Sequence, residues 1–149
     1  MATTTRAART AVDITFTLDA APERVFPLLC PVVEYDWIPD WRCTMVHSTS
    51  GVAELGCVFL REGETWITTR YEPPTRIDYA IFVPGGSVGM LEFTLTPVGA
   101  GTRVDLASTT TATRPGAPAH GTEQERRALW DLRRRQLEHY LRTGTMLPA

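Results

Sequence analysis

The sequence predicts an α+β domain, in which a curved antiparallel sheet of about seven strands surrounds a long C-terminal helix and two short helices follow the first strand. Three observations lead there. Residues 123–142 carry apolar side chains at helical spacing, the only long stretch that does so. Residues 42–111 read as alternating strand segments separated by Gly, Pro and Ser turns, whose connections are too short for parallel crossovers. The 149 residues suffice for one domain, which at this size buries about 68–70% of the surface of its unfolded chain.

The elements follow in order. Residues 1–11 read as a flexible tail, 12–142 as the domain and 143–149 as a second tail. From Val12 the residues alternate, placing Val12, Ile14, Phe16 and Leu18 on one face of a first strand. Asp19 is the expected cap of a short helix, with Pro22 in its first turn and Cys30-Pro31 ending it. Residues 32–41 are rich in aromatics and suggest a second short helix turning into a strand. Trp37 and Trp41 there either plug the end of the core or line the entrance of a cavity.

Strands are then expected over 42–48, 57–61, 64–72, 76–83, 88–96 and 102–111. Inward parity is ambiguous over 64–72: Trp66, Thr68 and Arg70 share one face, Thr65, Ile67, Thr69 and Tyr71 the other, and Trp66 is taken as inward. Residues 114–121 form a loop, and Thr122 with Glu125 makes a capping box for the last helix. On that helix Leu129, Trp130, Leu137, Tyr140 and Leu141 share a face, and Arg126 and Arg133 project into the middle of it. Arginine keeps its charge, so an inward pair requires carboxylates, carbonyls, water or an anionic ligand.

Composition narrows the function. A net charge of −2 gives no cationic field for nucleic acid, and no apolar run approaches the ~20 residues needed to span a bilayer. All fifteen basic residues are Arg, which removes lysine Schiff-base and P-loop chemistry. Nothing resembles a signal peptide, so the expected setting is the cytoplasm. The three cysteines fit reduced thiols, although a hairpin turning near Ser50 would set Cys43 opposite Cys57, with His47 nearby. His120 and His139 read as surface residues, and no metal or cofactor is expected. His-Glu-x-x-His and Cys-x-x-Cys motifs are absent.

The element order, together with Trp37-Ile38-Pro39-Asp40-Trp41, Glu72-Pro73-Pro74 before Ile77-Asp78-Tyr79, and Gly101-Thr102-Arg103-Val104, resembles the START-like (SRPBCC) superfamily over about residues 12–141. That superfamily includes polyketide cyclases and dehydrases, Bet v 1-like proteins and lipid-transfer domains. The resemblance implies a helix-grip fold with an apolar cavity between sheet and helix. It implies no shared catalytic set, and Ser48-Thr49-Ser50-Gly51 departs from the glycine-rich loop of the plant members. Apolar parity and the helix face select Trp37, Trp41, Met45, Phe59, Trp66, Tyr79, Phe93, Leu129, Arg133, Leu137 and Tyr140 as cavity residues.

Groups available for chemistry are His47, Glu64, Arg70, Asp78, Tyr79, Glu92, Arg133 and Tyr140, without diagnostic spacing. Three functions remain open. The first is binding of a hydrophobic or amphipathic small molecule, its acidic group held by Arg133 or Arg126. The second is a cyclase- or dehydratase-like enzyme using the same cavity on a polyketide-like substrate. The third is an interaction module of Hsp90-activator type. A monomer or homodimer is compatible with each.

Overall fold

The computed structural model describes residues 7–117, 119 and 121–148. Seven strands, β1 (Arg9–Leu18), β2 (Thr44–His47), β3 (Val58–Arg61), β4 (Glu64–Glu72), β5 (Arg76–Val83), β6 (Ser87–Val98) and β7 (Gly101–Ala112), form one sheet. Its spatial order is β1-β7-β6-β5-β4-β3-β2, and every neighbouring pair is antiparallel. Between β1 and β2 lie α1 (Pro22–Val25) and two 3-10 turns, Phe26–Leu29 and Glu34–Asp36. The chain ends on α2 (Glu123–Thr143). The architecture is the helix-grip arrangement expected from the sequence.

The long antiparallel hairpins arise because turn residues separate alternating apolar segments. Inward positions on β6 and β7, including Leu91, Phe93, Leu95, Val104 and Leu106, pack into one core with Ile77 and Tyr79 of β5 and with the short-helix segment. α2 starts on the anticipated capping box: the Thr122 hydroxyl accepts from the Glu125 N–H, and the Glu125 carboxylate accepts from the Thr122 N–H. It ends at Gly144 in the left-handed region, where φ is 72°. The helix lies along β1, tied by Arg127 Nη1 donating to Asp13 O at 3.3 Å, and Leu137 is fully buried beneath it.

Several expectations are corrected. β1 begins at Arg9, inside the segment assigned to the tail. The first helix is capped by Ala21 without a side-chain bond, not by Asp19, because Pro22 occupies a first-turn position and its fixed φ sets the start. No strand follows Trp41 directly; β2 begins at Thr44.

Cys43 and Cys57 do not face each other across a tight hairpin. The β2–β3 register pairs Thr44 with Leu60 and Met45 with Phe59, then slips so that His47 meets Val58. The loop between them folds instead around Glu54, whose carboxylate accepts from the Ser48 and Ser50 hydroxyls and the Ser50 N–H. Cys57 Sγ thus lies 3.2 Å from Met45 Sδ. Among the described residues no cluster of His, Cys, Asp or Glu could hold a metal. His139 is partly buried on α2, and the surface position expected for His120 falls outside the described residues.

Both parities proposed for residues 64–72 occur. A bulge between Thr68 and Arg70 shifts the register of β4 against β5, so Trp66 and Thr68 face inward before it and Tyr71 packs on Phe26 after it. Arg70 is left on the outer face.

Candidate functional site

The inner face of the sheet, the short-helix segment and the N-terminal half of α2 do not pack solidly. They leave a cavity of about 190 Å³. β4, β5 and β6 supply Trp66, Tyr79, Ile81, Leu91 and Phe93 to its wall; the short-helix segment supplies Leu29, Trp37, Ile38 and Trp41; α2 supplies Arg126, Leu129, Trp130 and Arg133. Leu129 is 39% exposed although it borders the cavity, which places the mouth beside the first turns of α2.

The aromatic rings are fixed by their polar ends. Trp37 Nε1 donates to Leu28 O at 2.7 Å, Trp41 Nε1 to Pro31 O at 2.9 Å, and the Tyr79 hydroxyl to Leu29 O at 2.8 Å. These three bonds satisfy buried donors. The Tyr79 bond ties the short-helix segment to β5, the two tryptophan bonds hold that segment together, and all three turn ring surface, rather than polar atoms, toward the cavity. Trp66 and Tyr79 meet edge to face at 5.3 Å, as do Phe93 and Trp130 at 5.4 Å.

Charge enters this apolar space in a limited way. Glu34, in the second 3-10 turn, borders the cavity together with Arg61 of β3 and Arg133 of α2. Burial raises the Glu34 carboxyl to about 8, against the opposing pull of Arg133 and Arg61. Burial also lowers the Arg133 guanidinium, which Glu34 supports and Arg61 repels. Arg133 Nη1 donates to Gln136 Oε1 at 2.9 Å. Arg61 lies over the Trp41 ring at 4.5 Å and its buried Nε has no partner among the described residues. Its Nη1 lies 3.5 Å from Glu62 and 3.8 Å from Glu64. Glu64 accepts from Trp66 Nε1, and Arg126 donates to the Thr110 hydroxyl at 2.8 Å.

Of the residues selected from the sequence, Trp37, Trp41, Trp66, Tyr79, Phe93, Leu129 and Arg133 line this cavity. Met45, Phe59, Leu137 and Tyr140 belong to the packed interior around it; Phe59, for example, stacks on Trp66 at 5.4 Å. Among the groups considered for chemistry, Arg70, Asp78 and Glu92 lie on the outer face. There Asp78 sits 3.2 Å from Arg70 Nε and 3.0 Å from Arg76 Nη2, with Glu92 3.8 Å from Arg76. His47 is exposed on β2. Glu34 and Arg61 also line the cavity, beyond the residues expected from the sequence; Arg61 shares its strand face with Phe59, and Glu34 falls in the aromatic stretch.

The profile of the family described as polyketide cyclase / dehydrase and lipid transport matches residues 9–139. No curated protein sequence matches the chain. Among solved structures, CalU16 from Micromonospora echinospora aligns with a TM-score of 0.66 at 18% identity, covering 94% of this chain and 85% of its own. Mll3558 from Rhizobium loti aligns at 0.65 and 17% identity over 90% of this chain and 98% of its own. DynU16, from the dynemicin biosynthetic locus, aligns at 0.62 and 19% identity over 91% of this chain, which spans 48% of that protein. At these identities the three share the fold.

Proposed function

The chain belongs to the polyketide cyclase / dehydrase and lipid transport family, and from that premise we propose that it binds a hydrophobic or amphipathic small molecule in the cavity between the sheet and α2. The observation that carries this reading is the cavity itself: aromatic and aliphatic walls on three sides, a mouth beside Leu129, and a few charged groups inside. A void of this kind is costly to keep in a core, since packed interiors leave few gaps larger than water.

Size restricts the occupant. The volume of about 190 Å³ is near the ~150 Å³ of an apolar cavity that admits benzene and below the ~300–1,000 Å³ of pockets for drug-sized ligands. One ring with short substituents fits inside; a longer molecule would extend through the mouth.

A cyclase- or dehydratase-like activity needs a proton donor on the cavity wall. The Tyr79 hydroxyl is committed to Leu29 O, and Tyr140 lies off the wall. Glu34, held near pH 8 by its burial, is the group that favours this second reading.

Mass spectrometry of the purified protein under native and then denaturing conditions tests the binding reading. A small molecule carrying an apolar moiety is expected to accompany the folded protein and to be lost on denaturation. If none does, and soaking with toluene or naphthalene adds no mass to the native ion, tight binding is ruled out.

A further inference from the structure

Three guanidinium groups and two carboxyl groups border the cavity. Arg126 bonds to Thr110, and Glu64 accepts from Trp66. Arg61 has only long ion pairs through Nη1, 3.5 Å to Glu62 and 3.8 Å to Glu64; Arg61 and Arg133 repel each other, and both act on Glu34. No hydrogen bond reaches the Glu34 carboxyl among the described residues, so this carboxyl is a distant and imperfect counter-charge. Arg61 Nε is buried without an acceptor, and of the Arg133 donors only Nη1 is engaged. Two partly buried guanidiniums with unused donors beside aromatic walls define what they would take up: an anion small enough to share them, attached to a ring.

We propose that the cavity accepts a monocyclic aromatic carboxylate, with the ring against Trp66, Tyr79, Phe93 and Trp130 and the carboxylate between Arg61 and Arg133, where it displaces Glu34 as their counter-charge. The inference rests on the binding reading above and names its ligand class. Carboxylate geometry matches the guanidinium fork, whereas a neutral amide of equal shape would bring no charge to the unused donors of Arg61 and Arg133.

Displacement has a consequence. A ligand carboxylate beside an ionised Glu34 would place two like charges in a poorly hydrated space, so the ligand binds the form in which Glu34 carries a proton. The groups that face Glu34 from the packed elements are Cys30 in its own segment, Arg61 of β3, Tyr79 of β5 and Arg133 of α2. Burial holds the Cys30 thiol at about 12 and the Tyr79 hydroxyl well above its usual range, so neither ionises near neutrality. Glu34 is thus the group among them that changes charge between pH 7 and 9.

The four tryptophans of the chain, Trp37, Trp41, Trp66 and Trp130, all border the cavity, so intrinsic fluorescence reports its occupancy. Titration of the full chain with sodium benzoate and with benzamide at pH 7 and pH 9 tests the proposal. Benzoate is expected to bind at least about tenfold more tightly than benzamide at pH 7. Its Kd should rise about tenfold by pH 9, while that of benzamide stays constant. Glu34→Gln should remove the rise. Equal Kd values for benzoate and benzamide would overturn the acid preference and leave the apolar cavity standing. A benzoate Kd that does not change in the wild-type protein between pH 7 and 9 would overturn the displacement of Glu34, whether or not the variant folds. If neither compound perturbs the fluorescence, the binding reading fails along with the proposal.

Discussion

Glu34→Gln is expected to flatten the pH dependence of stability and to make the protein more stable than the wild type at pH 8. The folded chain holds the proton of Glu34 up to about pH 8, whereas an unfolded glutamate releases it near 4.5. The raised value means that the neutral acid favours the folded state fully below pH 4.5. That contribution falls as pH rises through the window and is gone above the folded value. A rise from 4.5 to about 8 corresponds to at most about 4–5 kcal/mol, and partial exposure of Glu34 together with solvent screening reduces the expected loss to roughly 2–3 kcal/mol. Urea midpoints at pH 5, 7 and 8.5 check this: the wild type should decline across the series relative to the variant. Parallel curves would mean that Glu34 ionises in the folded protein much as it does in water.

Trp37→Ala is expected to cost about 3–5 kcal/mol, a large part of the ~5–15 kcal/mol that holds a typical domain together. Trp37 is 1% exposed, and its indole ties the two halves of the short-helix segment together through the 2.7 Å bond to Leu28 O. Truncation removes that donor and joins the emptied volume to a cavity already present, so the site cannot collapse to offset the loss. Thermal unfolding of the variant with and without toluene separates the effects. A lower Tm, partly restored by toluene, follows from a void on the cavity wall, whereas a Tm within one degree or so of the wild type would show that this wall carries little of the stability.

The parts of the fold legible in the sequence are those written in local chemistry. β4 and β5 have the expected bounds, and α2 begins at Glu123 and runs one residue beyond the expected end, because capping box, apolar spacing and terminal Gly agree. The inward projection of Arg126 and Arg133 was legible for the same reason: helix periodicity fixes a face without reference to the rest of the chain. What escaped depends on partners distant in sequence. Parity alone cannot locate the β4 bulge, which brings Trp66 and Tyr71 to the same side. Nor can it tell which inward residues border a void and which fill the interior. Phe59 and Trp66 both point inward, yet Phe59 is covered by the ring that lines the cavity. Glu34 is not legible in the sequence, since a glutamate in a polar-aromatic turn reads as solvated until the turn is folded against Arg61 and Arg133.

A small molecule is expected to occupy the space between the sheet and α2. The most direct test follows the indole N–H signals in a 1H–15N spectrum during titration with toluene. All four tryptophans border the cavity, and three of the indoles donate to Leu28 O, Pro31 O and Glu64. Binding within the cavity predicts saturable shifts of the Trp37, Trp41, Trp66 and Trp130 indole signals, with the outer-face amides of Arg76 and Asp78 unmoved. Shifts confined to the exposed apolar residues Val46 and Leu60 at the sheet edge, or no saturable shift at all, would contradict it.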